Sequence, residues 1–228
     1  MTYIDVLSDE LVISKYNEID KSNPFPFNHG LKHVVNVCNL MNRLGAVLEL
    51  DEEKLNALLI ACALHDIGQV EGRNNHGWKS RKFITNYYEK ELKDNKYYDD
   101  ILDAVEFHDH DANMEESLFG LLVKVCDKMD FSKDRLEDNY RDKYRYYCFE
   151  EIDNIEFIYD DESFGINIVT GYTNGFETDF LNEVFTAKVF NCLDVLANKL
   201  DRELVVKHNG IPFGYKKNKV FTKRNNEG

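Results

Sequence analysis

The stretch Ala61-Cys62-Ala63-Leu64-His65-Asp66-Ile67-Gly68-Gln69 constrains the fold of this chain more than any other. An apolar run ends abruptly in an imidazole and a carboxylate, and a glycine follows almost at once. Asp51 is placed to cap the helix, and Leu55, Leu58, Leu59 and Cys62 then lie at i, i+3, i+4 and i+7. Four residues further along that stripe is Asp66, so the helical period points its side chain into the core. A buried carboxylate is costly without a partner. Two readings are open for the pair taken alone. One is a core histidine hydrogen-bonded to an acid; the other is a pair of ligands to a divalent metal, for which imidazole nitrogen and carboxylate oxygen both serve.

The other histidines weigh on that choice. Six of the seven fall between residues 29 and 110. His33 shares a helical face with Val37, Leu40 and Leu44 and looks inward. His76 opens a helix, and His108 closes one on the stripe of Ile101, Ala104 and Val105. Asp127 sits inside the apolar run Ser117–Met129, where a lone carboxylate is expensive. Each has a plain structural explanation by itself; inward or helix-terminal placement of all of them points to a metal centre.

At 228 residues the chain is expected to be one domain, 1–228, able to bury a full core. Its net charge, 28 − 42 = −14, disfavours nucleic acid or an anionic membrane as partner. A small anionic substrate stays compatible, because a metal inverts the local field. No basic, then apolar, leader opens the chain, and no apolar run is long enough to span a bilayer. The five cysteines, Cys38, Cys62, Cys126, Cys148 and Cys192, are widely spaced in mostly apolar segments, as expected of reduced core thiols in a cytoplasmic protein.

Periodicity predicts helices over residues 4–20, from an Asn28 cap to residues 48–50, from Asp51 to a stop at Gly68, Gly77–Leu92, Tyr97–His108, Ser117–Met129, Asp134–Tyr147 and Thr178–Leu200. Alternation over Ile152–Asp160 and Phe164–Tyr172 predicts a β-hairpin, and Leu204–Gly228 has room for a short strand. The expected architecture is mainly α, a helical bundle with a small β-hairpin insertion toward the C-terminus.

Three motifs then carry a family resemblance over residues 25–135. His29-Gly-Leu-Lys-His33-Val-Val-Asn-Val37, Leu64-His65-Asp66-Ile67-Gly68 and Val123-Lys-Val-Cys-Asp127-Lys-Met-Asp130 follow the order of the HD superfamily of metal-dependent phosphohydrolases, which the chain resembles. The resemblance implies His33, His65, Asp66 and Asp127 as ligands of one metal. His76 and His108 match members with two metals, with Asp66 as the bridge. His110 and Asp109 are weaker candidates, and His29 and His208 read as structural or surface residues.

The implied cofactor is one or two divalent ions drawn from Mn, Mg, Ni, Co, Zn or Fe. The implied reaction is hydrolysis of a phosphate ester, of a nucleotide or nucleotide-like small molecule, by a metal-activated water. Asp66, His76, Lys128 and Arg73 are the catalytic candidates, with Lys79, Arg81, Lys133 and Arg135 as further cations for phosphoryl charge. A homodimer is compatible with this reading. Gln69 stands where many members carry Lys. The Glu-Asp pair of guanosine tetraphosphate hydrolases and the Gly-Tyr-Pro of cyclic-di-GMP phosphodiesterases are both missing, which disfavours those specificities. An HD-type di-iron oxygenase and a non-catalytic nucleotide-binding sensor are the alternatives.

Overall fold

Helix α4 (Glu52–Leu64) is the axis of the molecule. The Asp51 carboxylate accepts the Lys54 N–H at its start, and Glu52 and Glu53 occupy the first turn, where the helix dipole favours negative charge. From Ala57 to Leu64 every residue is buried, so this part of the helix has no water-facing side and must be surrounded. Helices α1 (Tyr3–Leu7), α3 (Leu31–Val47), α7 (Tyr98–Phe107) and α8 (Leu118–Lys128) supply that surround. The computed structural model describes residues 1–24, 26–131, 135–138, 152–171, 187–216 and 220–223.

Several boundaries differ from the predicted ones. Residues 4–20 divide into α1 and α2 (Glu10–Ser22), because the Asp9 side chain accepts the Leu11 N–H and starts a new helix. Asn28 does not cap α3. Its side-chain Oδ1 accepts the Gly30 N–H in a local turn, and Gly30 is the cap. Helix α4 stops at Leu64 rather than Gly68, and a 3₁₀ turn, Ile67–Glu71, runs through that glycine. The predicted helix Gly77–Leu92 is α5 (His76–Tyr87) and α6 (Glu89–Leu92), divided at Tyr88. Residues 135–138 do not form the predicted α-helix. They run against the segment before α3, with Asn28 N–H donating to the Arg135 carbonyl and Glu137 N–H to that of Pro26. The remainder of the predicted helix Asp134–Tyr147 lies outside the described residues, as does Cys148.

The hairpin forms as β1 (Ile152–Tyr159) and β2 (Ser163–Thr170), but it is half of something larger. With β3 (Glu203–His208), β4 (Ile211–Lys216) and β5 (Val220–Lys223) it makes a five-stranded sheet in sequential order. All neighbours are antiparallel except β2 and β3, which are parallel. Helix α9 (Ala187–Lys199) packs on β2, β3 and α8, and β1 packs on α3, so the sheet is fastened to the bundle at two points. The part of the predicted helix before Ala187 is outside the described residues. No helix among the described residues is long and apolar enough to cross a membrane.

Helix α5 lies unusually close to α7. A Cβ on Gly77 would stand 2.2 Å from the Glu106 carbonyl oxygen, a backbone atom that cannot swing aside. Gly77→Ala is therefore expected to push α5 off α7 and cost about 1–3 kcal/mol. Denaturant unfolding would show this as a lower midpoint; an unchanged midpoint would mean the contact is not tight.

Candidate metal centre

Four helix ends converge on one buried point. His33 comes from the first turn of α3, His65 is the C-cap of α4, His76 is the first residue of α5, and His108 is the C-cap of α7. Asp66 follows His65, and Asp127 arrives on the last turn of α8. All six are buried. Asn75, at a left-handed φ of 53°, which asparagine tolerates, turns the chain sharply so that α5 starts with His76 facing inward.

The second nitrogen of each ring fixes its chemistry. His65 Nδ1–H donates to the Cys62 carbonyl at 2.8 Å, His76 Nδ1–H to that of Arg73 at 2.9 Å, and His108 Nδ1–H to that of Val105 at 2.7 Å. His33 Nδ1–H donates to Asp130 Oδ2 at 2.7 Å. An acceptor that has no proton of its own requires N–H on Nδ1, so in the neutral rings every Nε2 carries its lone pair. Those lone pairs face one another: His33 and His65 Nε2 are 3.3 Å apart, His76 and His108 Nε2 only 2.9 Å. Lone pairs aimed together in this way call for a cation between them.

Asp66 stands between the two histidine pairs and offers one oxygen to each. Oδ2 lies 3.6 Å from His33 Nε2 and 3.4 Å from His65 Nε2; Oδ1 lies 3.2 Å from His76 Nε2 and 3.3 Å from His108 Nε2. Asp127 Oδ1 joins the first group, 3.3 Å from His33 Nε2 and 3.7 Å from His65 Nε2. The triads His33/His65/Asp127 and His65/Asp66/His108 each bring their ligand atoms within 4.8 Å of one another, compact enough for a metal ion.

The field of the site demands positive charge. Burial opposes ionisation of Asp66, yet His65 and His29 keep its pKa well below the usual carboxylate range. Asp127 is likewise depressed against burial, chiefly by Lys128 and then by His33 and His65. Burial would lower the His65 pKa, but Asp66 and Asp127 outweigh it and hold it at about 10. His76 is raised against burial by Asp66, whereas burial prevails at His108 and lowers it. Two carboxylates that hold an imidazole positive across neutral pH suit a divalent cation in the same place.

The HD domain family model matches residues 30–132. These residues are an HD domain. The match falls within the stretch 25–135 that carries the three motifs, and it spans the helices that bear all six buried residues. HD domains bind divalent metals and are typically metal-dependent hydrolases, and the donor set here fits such ions. A comparison with curated proteins found no match.

The remaining candidates spread over and around a cavity of about 600 Å³ above the HD-domain centre. Lys128 lines it, bonded to the outer oxygen of Asp127 and raised in pKa by that carboxylate against burial. Arg73 lines it too, and its carbonyl orients His76. Lys79 faces away and caps the 3₁₀ turn through the Glu71 and Gly72 carbonyls, and Arg81 pairs with Asp103 and Glu106. Lys133 is outside the described residues. His110 is exposed, while His208 is buried in the sheet against Thr170 Oγ1 at 2.8 Å.

Two residues of the site escaped the sequence reading. His29, read there as structural or surface, places Nδ1 2.8 Å from Asp66 Oδ2 and lines the cavity. Burial takes its pKa down to about 4 despite Asp66, so it is a neutral N–H donor that orients the carboxylate. Its spacing of four from His33 was the available signal. Asp130, three residues after Asp127, orients the His33 ring. Removing such an orienting partner commonly costs ten- to a hundredfold in metal affinity. Asp130→Ala is expected to weaken metal binding by about that factor, measured by competition with a chromophoric chelator. Unchanged affinity would mean that the His33 ring needs no anchor.

Proposed function

We propose that this protein is a metal-dependent phosphohydrolase that cleaves a phosphate ester of a nucleotide or nucleotide-like small molecule. The observation that carries the reading is the disposition of Asp66, with Oδ2 toward His33 and His65 and Oδ1 toward His76 and His108. On this reading His33, His65, Asp127 and Asp66 would hold one divalent ion, and His76, His108 and Asp66 would hold a second. Such ions polarise phosphoryl oxygens and lower the pKa of water in the site toward neutrality.

The chain's own residues supply the rest. The cavity, about 600 Å³, is of the size that takes a small molecule. Lys128, Arg73 and Arg135 on its wall provide positive charge for a phosphoryl group in a protein that is otherwise strongly acidic. Phe27 offers an apolar ring, and Asn74 and Asn75 offer amides, a combination suited to a base or sugar. His29 and Asp130 hold Asp66 and His33 in place so that little reorganisation accompanies reaction.

A second reading, a di-iron oxygenase, draws on the same paired-imidazole, bridging-carboxylate arrangement, which also suits iron. A screen of phosphate mono- and diesters with Mn²⁺, Mg²⁺, Ni²⁺ or Co²⁺, run beside metal analysis of the purified protein, separates the two. Phosphate release with one of these ions is expected. Iron as the resident metal with no ester hydrolysed would overturn the hydrolase.

A further inference from the structure

Among the described residues, two buried side-chain polar atoms have no hydrogen-bond partner: Gln69 Nε2 and Arg135 Nη1. Both are donors, and both residues line the 600 Å³ cavity over the metal centre. A buried donor left unmade carries an uncompensated desolvation cost, larger for a charged group. Two of them at one cavity mark a place where an acceptor-rich partner completes the structure.

Their mounting supports a ligand role. Gln69 sits on the 3₁₀ turn directly after Asp66, with its amide nitrogen sealed from bulk water. Arg135 is buried on the irregular segment that bridges to Phe27, and the main-chain bond from Asn28 N–H to its carbonyl, 2.7 Å, fixes its backbone. Its guanidinium stands 3.9 Å from Asp127 Oδ1 through Nη2 and 3.9 Å from Asp130 Oδ2 through Nη1. These distances attract the group electrostatically but exceed hydrogen-bond length, so its planar fork is held in position with donors to spare. Lys128, by contrast, already bonds Asp127.

We propose that Gln69 and Arg135 form an oxyanion subsite that takes the non-bridging oxygens of a phosphoryl group at the metal centre. Arg135 gives a charge-assisted, directional contact, and Gln69 gives a neutral one from the Asp66 side. The identity of the anion rests on the phosphohydrolase reading; the presence of an acceptor does not. In this chain, therefore, the segment after α8 adds a directional guanidinium to the charge of Lys128 and Arg73, while Gln69, on the 3₁₀ turn after Asp66, contributes an amide.

Binding of inorganic phosphate to metal-loaded protein, by titration calorimetry, tests this without turnover. Arg135→Gln is expected to weaken phosphate about ten- to a hundredfold. Gln69→Leu is expected to weaken it about three- to tenfold. Both variants should keep the wild-type metal content, because neither residue is a ligand. Wild-type phosphate affinity in both metal-replete variants would overturn the subsite, as would failure of the loaded wild type to bind phosphate. If Arg135→Gln does not fold, Gln69→Leu decides alone. Phosphate binding that weakens as expected in a protein that hydrolyses no ester would leave the subsite standing and remove the phosphohydrolase.

Discussion

Asp66→Ala is expected to abolish activity and to empty the metal centre while leaving the helical bundle folded. Asp66 reaches both histidine pairs, since Oδ1 serves His76 and His108 and Oδ2 serves His33 and His65. Deleting the carboxylate removes a ligand from each side and the charge that offsets two dications. It also leaves the His29 N–H without its acceptor. A loss of at least a thousandfold in turnover, about 4 kcal/mol of transition-state stabilisation, is the scale to look for. Metal content by plasma mass spectrometry should fall to background, with far-UV circular dichroism unchanged. Helix α4 supports that last expectation, because its buried face ends at Leu64 and does not depend on Asp66. A metal-replete, active Asp66→Ala protein would sink the bridging role.

His76→Ala should act on half of the centre. Its Nε2 meets His108 Nε2 at 2.9 Å and Asp66 Oδ1 at 3.2 Å, whereas His33, His65 and Asp127 form their own group around Asp66 Oδ2. The variant is expected to keep the ion held by that group and to lose the second one. Turnover should drop by a hundredfold or more, because only one of the two ions that these residues would hold remains. Metal-to-protein stoichiometry near one, with a matching loss of turnover, is the expected pattern. Complete metal loss would show that the ligands are divided differently between the two ions.

The sequence was informative where interactions are local. The stripe from Leu55 to Cys62 is a property of one helix, and Asp66, two residues past its end, keeps the inward aim that the spacing indicates. The same holds for Asp51 as a cap and for the alternation of β1 and β2. What stayed hidden depends on partners distant in the chain. His29 reaches Asp66 from a loop whose path is set by the bridge of Phe27 to Leu136. The five-stranded sheet depends on parallel pairing of β2 with β3 across a helical crossover, which no local pattern announces. Gln69 was legible only as a missing lysine. Its sealed, unpartnered nitrogen emerges once the 3₁₀ turn and the cavity wall are in place.

The most direct test of a two-ion centre bridged by Asp66 is a Mn²⁺ titration of metal-free protein followed by electron paramagnetic resonance. Two ions per chain are expected. The second equivalent should convert the signal of isolated Mn²⁺ into that of an exchange-coupled pair, because one carboxylate joins both ions. Saturation at one ion per chain, or two ions that remain magnetically independent, would contradict it.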